Sequence, residues 1–224
     1  MNQTISALTL CGGTNALLAP PVDYTMHVLF PFLFRRFGIS DELTLDIIKR
    51  GFYPYGGGKL RVRIPALMNG QTLSAVNISE RGSVIALHGI SYVSGPLPRR
   101  IANEMRDAAL KELSSLTAID ADSSLSRSVQ TDIHLEFLSP KDKAGSGIVL
   151  WAETSTGCIL GGSSIGSKGT DAAKIGRAAA KELLGNLIHG GCVDEYLQDQ
   201  IIIFLALAKG RSTVKTGPLT LHTE

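Results

Sequence analysis

Two prolines in four residues, directly after a glycine, interrupt this chain at Gly95-Pro96-Leu97-Pro98. Neither proline can donate a backbone hydrogen bond, and each pushes the residue before it away from helix, so no regular element passes through. The two sides read differently. Before the interruption the apolar residues mostly alternate, as in strands; after it they recur at helical spacing between strand-like runs. The turn therefore reads as a unit boundary, with Gly190-Gly191 as the return. The expected organisation is one unit from residues 1–95 and 190–224, and a second, smaller α/β unit from residues 96–189.

Ile5 to Leu10 reads as a strand running into Gly12-Gly13. Asp23 can cap a helix through about Phe37 that Gly38 ends; Pro31 would free the carbonyl of His27 and kink it. Leu43–Lys49 and Lys59–Ile64 alternate as the arms of a long hairpin turned at Gly51–Gly58. Leu73–Ile78 and Val84–Tyr92 continue the strand-rich stretch around Arg81-Gly82. Past Pro98, Arg99–Leu116 reads as a helix with Ile101, Met105, Ala108, Ala109, Leu113 and Leu116 on its apolar side. Ser123–Ser128 reads as a polar loop and Ile133–Leu138 as a strand. Gly147–Glu153 and Cys158–Ser163 read as paired strands, and Thr170 or Asp171 opens a long helix closed by Gly190-Gly191. The fold class is mixed α/β (α+β).

Composition narrows the function classes. At 224 residues, with 44% hydrophobic and 19% charged side chains, the chain can bury a full core. A net charge of +2 is too small for a broad nucleic-acid-binding surface, so an RNA partner would be gripped at one end. Cys11, Cys158 and Cys192 form no CxxC pair, which argues against a zinc ribbon or a disulfide framework and suits a reducing compartment. The apolar run Ile201–Ala208 is too short to span a bilayer, and Met1–Thr4 has no basic secretory start, so a soluble intracellular protein is expected.

The chemistry-bearing residues gather near the end. Asp194 is placed to cap, and Gly210 to stop, a helix from about 195 to 208. Leu197, Ile201, Phe204, Leu205 and Ala208 form its apolar stripe; Tyr196, Asp199 and Gln200, spaced i, i+3, i+4, share another side. That side reads either as the rim of a nucleotide pocket or as a solvated polar face. Gly56-Gly57-Gly58-Lys59 fails the phosphate-loop pattern, since Gly57 stands where Lys is required and no Ser or Thr follows Lys59; a tight hairpin turn is the simpler reading. Gly161–Gly169 reads as a loop between strand and helix. His27, His88, His134 and His189 show no ligand spacing and read as structural or surface residues, and Trp151 as core.

Arg50-Gly51-Phe52-Tyr53-Pro54-Tyr55-Gly56-Gly57-Gly58-Lys59-Leu60 resembles the signature of the RNA 3′-terminal phosphate cyclase family. Gly12-Gly13-Thr14-Asn15-Ala16, Ala19-Pro20-Pro21-Val22-Asp23-Tyr24, His88-Gly89-Ile90, Gly190–Asp194 and Glu195–Gln200 resemble it too, in the family's order and over essentially all 224 residues. The resemblance implies a core of repeated units, each two helices on a four-stranded sheet, with a small inserted α/β domain. It implies ATP and Mg2+ as cofactors, RNA 3′-phosphate ends as substrate, and, from its eukaryotic members, the nucleus as location. His222, in Thr216-Gly217-Pro218-Leu219-Thr220-Leu221-His222, resembles the family's nucleophile, which takes AMP from ATP. Asp199 resembles the acidic residue beside it, placed to orient the imidazole or hold magnesium. Pro20, Tyr24 and Tyr196 match positions around the adenine, and Gln200 is placed for the ribose. Family members carry a further repeat before Gly12-Gly13 and continue past His222, so a shortened chain is expected. A non-catalytic branch that serves ribosome assembly lacks the Tyr196–Gln200 motif and the histidine, and an inactive fragment is the remaining alternative.

Overall fold

Residues 5–67, 70–114 and 129–224 are described in a computed structural model of the chain. Strand β1 (Ile5–Gly12) leads to a helix in three consecutive parts: α1 (Val22–Tyr24), a π-helical turn (Thr25–Leu29) and α2 (Phe30–Phe37). The helix begins one residue before Asp23, behind Pro21, so Asp23 lies inside the first turn rather than capping it. A π-helical turn, Thr25–Leu29, lies where the kink is expected, with Phe30 between it and Pro31, whose ring supplies no N–H. Gly38 ends α2 in the left-handed conformation, as expected.

β2 (Thr44–Lys49) and β3 (Gly58–Pro65) form the expected antiparallel hairpin, and β1 pairs along the other edge of β3, giving the order β1-β3-β2. The hairpin turn needs its glycines: Gly56 and Gly57 stand at φ 57° and 72°, a region costly for residues with a Cβ. The glycine run is thus a turn, and the Tyr53–Pro54 peptide within it is cis.

Of the Leu73–Ile78 stretch only β4 (Asn77–Ile78) is a strand, because its partner is a short segment arriving from far along the chain. β5 (Val84–Ser94), α3 (Arg100–Leu113), β6 (Gln130–Phe137), β7 (Gly145–Thr154), β8 (Ile159–Ile165) and α4 (Ala172–Ile188) follow. Asp171 caps α4, accepting the Lys174 N–H at 3.1 Å. Leu116 and the Ser123–Ser128 loop fall outside the described residues. Then come α5 (Glu195–Gln200), α6 (Ile202–Leu207) and β9 (Thr213–Val214), which pairs in parallel with β4.

The four-stranded sheet has the order β6-β5-β7-β8. β5 lies before the Gly95–Pro98 turn, yet sits between β6 and β7, which lie after it. That turn is therefore a strand-to-helix connection inside one sheet-and-helix unit, and a cut there would remove a central strand. A break signal from proline and glycine is the same for a linker and for a tight βα turn.

The α/β class is as expected. α3 and α4 cover one face of the four-stranded sheet, with Met105, Ala109, Ile175, Ala179 and Leu183 buried. The α1–α2 helix covers the other. Gly161 on β8 makes this possible: a Cβ there would come within 2.6 Å of the Tyr24 ring. His27 stacks on Trp151 at 4.4 Å, with His88 5.7 Å from the same ring, so both histidines are structural.

Candidate active site

Asp194 organises the site. It is fully buried at the N-terminus of α5, and its Oδ1 accepts the N–H groups of Tyr196 and Leu197 at 3.0 and 2.8 Å. The same oxygen accepts the Tyr24 hydroxyl at 2.7 Å, while Oδ2 accepts the Gly161 N–H at 2.6 Å. The predicted cap thus also ties α5 to α1 and β8. Burial pushes its carboxyl up to about 6, against the four hydrogen bonds that pull it down. Asn186 adds a second tie, donating to the Gly161 carbonyl at 3.1 Å and accepting the Glu195 N–H at 3.3 Å.

The helix expected from 195 to 208 is divided at Ile201, which ends α5 and precedes α6. Three consecutive β-branched residues, Ile201–Ile203, weaken helix there. It ends at Leu207, before the expected stop at Gly210: Lys209 leaves to donate its N–H to Leu73, and Gly210 stands at φ 116°, outside a left-handed cap.

Tyr24 is completely buried, so its ring offers no open surface; it meets Tyr196 edge-on at 5.8 Å. Tyr196 is half-buried, and its hydroxyl is pushed up to about 12 by burial and by Glu182, Glu195 and Asp194, so it stays a donor. Pro20, Asp199 and Gln200 are also half-buried. The Gln200 Oε1 is buried with no hydrogen-bond partner, a costly state that a donor from a ligand would relieve. His222 is exposed, in a closing turn where Thr223 and Glu224 donate to the Thr220 carbonyl.

What joins His222 to α5 is a residue the pattern reading passed over. Gln198 is buried, and its Nε2 donates to the Pro218 carbonyl at 3.1 Å while its Oε1 accepts the Thr220 N–H at 2.9 Å. Both ends of one amide therefore hold the strap that leads to His222. Upstream the strap is held by Cys192, whose N–H donates to the Lys215 carbonyl at 2.8 Å, and by Gly217, packed against the His189 ring. One signal for Gln198 was available: it stands three residues before Ile201 and seven before Leu205, on the apolar side of the helix.

Glu182 lies behind Tyr196 and accepts the Ser163 N–H at 3.0 Å. Burial raises its carboxyl to about 7, helped by Glu195 and Asp194. A folded-state pKa above the ordinary value of 4.5 means that stability falls as pH rises from about 4.5 to 7. Glu182→Gln keeps the Ser163 bond and removes the buried charge. It is expected to stabilise the fold by about 1–3 kcal/mol at pH 8 and to change little at pH 4, read from thermal melts.

The signature motifs form a separate buried knot. Arg50 grips Asp23 through two bonds of 2.6 and 2.8 Å, reaches Glu136 at 3.1 Å, and lies 5.0 Å over the Tyr92 ring. Asn15 donates to the Tyr92 hydroxyl at 2.7 Å, and Thr14 and Asn15 both donate backbone N–H groups to Gly51. These residues fasten the hairpin and the helix onto the four-stranded sheet.

With this geometry in place, comparison with known proteins is decisive for ancestry. The family model for RNA 3′-terminal phosphate cyclase matches residues 1–224. RNA 3′-terminal phosphate cyclase of Pyrobaculum aerophilum is 36% identical over 215 residues, covering 96% of this chain and 57% of that protein. The Drosophila melanogaster protein of the same name is 35% identical over 221 residues, covering 97% and 57%. A probable RNA 3′-terminal phosphate cyclase of Dictyostelium discoideum is 39% identical over 219 residues, covering 97% and 47%. The chain spans about half the length of the curated relatives it matches. It belongs to the RNA 3′-terminal phosphate cyclase family.

Proposed function

We propose that this chain carries the nucleotidyl-transfer centre of an RNA 3′-terminal phosphate cyclase, with His222 as nucleophile. The observation that supports the reading is the Gln198 strap, which holds the chain two residues before His222 against the helix bearing Tyr196, Asp199 and Gln200. An imidazole nitrogen of His222 attacks the α-phosphorus of ATP and pyrophosphate leaves. AMP then passes to the RNA 3′-phosphate, freeing the histidine. The neighbouring 2′-hydroxyl attacks the activated phosphorus and expels AMP, leaving a 2′,3′-cyclic phosphate. Neutral imidazole suits the first step because it is nucleophilic near pH 7. The last step is driven by proximity, since nucleophile and phosphorus share one ribose.

The residues present fit these ligands. The half-buried Tyr196 ring, backed by Tyr24, and Pro20 offer flat surfaces to a purine. The unpartnered Gln200 Oε1 suits a ribose hydroxyl. Asp199 is the carboxylate that would hold a magnesium ion, which would supply neutralisation of the triphosphate charge. By analogy with eukaryotic relatives the setting is the nucleus.

The test is transfer of label from α-labelled ATP to the protein in the presence of magnesium. An acid-labile adduct is expected, and its absence from folded protein would sink the reading. Gln198→Ala frees the strap. It is expected to lower the rate of adduct formation roughly ten- to a hundredfold while costing only about 1–2 kcal/mol of stability.

A further inference from the structure

Lys59, Arg61 and Arg63 alternate along β3, so all three side chains leave the same face of the three-stranded sheet, and all three residues are exposed. Their neighbours in register on β1 are Cys11, Thr9 and Ala7, all short. Thr44 and Asp46 flank Arg63 and Arg61 on β2, and Lys49 stands opposite Lys59. The long cationic chains thus stand above a low floor. Asp46 is the one carboxylate in register with the row, and it makes no ion pair with it; none of the ion pairs among the described residues includes any of the three cations. Alternate strand residues are spaced about 6.6 Å apart, a regular ladder that suits the repeating charge of an extended phosphodiester chain.

Immediately before the row, the hairpin turn raises two aromatic rings. Tyr53 and Tyr55 are 69% and 68% exposed, and Lys143 stands 5.4 Å from the Tyr55 ring centroid. Exposed tyrosines in the turn that leads into a row of cations supply the stacking surfaces that single-stranded nucleic-acid binding combines with backbone contacts. The turn's other aromatic, Phe52, is buried, so the signature motif is half anchor and half outward display.

We propose that this face binds the body of a single-stranded RNA, with Lys59, Arg61 and Arg63 on successive phosphates and Tyr53 and Tyr55 under bases. The choice of RNA rests on the cyclase reading; the charge and stacking geometry do not.

The test is fluorescence anisotropy of a labelled twelve-nucleotide oligo(U) ending in a 3′-hydroxyl, without ATP. Neither adduct formation nor cyclisation can then influence the signal. A variant carrying Lys59→Gln, Arg61→Gln and Arg63→Gln is expected to lower the slope of log affinity against log salt by about two. Tyr53→Ala with Tyr55→Ala is expected to weaken binding at least about fivefold at every salt concentration with the slope unchanged. All five side chains are exposed, so both variants should melt as the parent does. Equal affinity and slope for parent and cation variant would overturn the proposal, as would no binding by the parent. So would a cation row that governs attachment to phosphatidylserine vesicles instead of oligo(U).

Discussion

Replacing His222 with alanine is expected to abolish the acid-labile adduct from α-labelled ATP while leaving the melting temperature unchanged. Under the proposed chemistry no other group can accept AMP, so the loss is of the whole step and not of a fraction of its rate. His222 is exposed and contributes no side-chain hydrogen bond to the fold among the described residues, so its removal leaves no cavity and no stranded partner. The pairing of outcomes carries the argument. Adduct loss with an unchanged melt assigns the chemistry to the imidazole; a retained adduct would move the nucleophile elsewhere and overturn the reading. Asp199→Asn is a useful companion, since a rise in the magnesium concentration needed for half-maximal adduct formation would separate holding the ion from orienting the imidazole.

The largest loss of stability is expected from Arg50→Met. Asp23 is 2% exposed and its two oxygens are both held by the Arg50 guanidinium. Burial alone would make the guanidinium easier to deprotonate, but Asp23 and Glu136 more than reverse this and keep it charged. Methionine fills much of the volume and strands the Asp23 carboxylate without a counter-charge. Breaking a buried pair in this way costs about 3–5 kcal/mol, or a fall of roughly 6–20 °C in melting temperature for a chain of this size. Adding Asp23→Leu should restore most of the loss, because replacing both charges removes the desolvation penalty as well as the attraction. A double variant no more stable than Arg50→Met would show that the guanidinium acts through Tyr92 and Glu136 instead.

Much of the fold was legible because its signals are local. The Asp171 and Asp194 caps, the Gly38 stop, the hairpin around Gly56-Gly57 and the β7–β8 pair each depend on residues within a few positions of one another. The place of β5 between β6 and β7 was not legible, since the Gly95–Pro98 break looks the same in a linker and in a tight turn. Nor was the burial of Tyr24: its hydroxyl meets Asp194 across 170 positions, and no periodicity encodes such a meeting. The placement of Tyr196, Asp199 and Gln200 together on α5 was legible from helical spacing. Gln198 was missed because its partners lie 20 and 22 residues away and are backbone atoms, which leave no residue preference to read.

That last property says how this region can vary. Gln198 recognises a carbonyl and an N–H, groups that almost every residue supplies, at Pro218 and Thr220. The position of His222 is therefore written as a count of peptide units from a fixed knot. Apart from Gly217, which has no room for a side chain against the His189 ring, side chains along the strap are open to drift or to redesign, whereas inserting or deleting one residue between Thr220 and His222 would shift the imidazole even if every chemical group were kept.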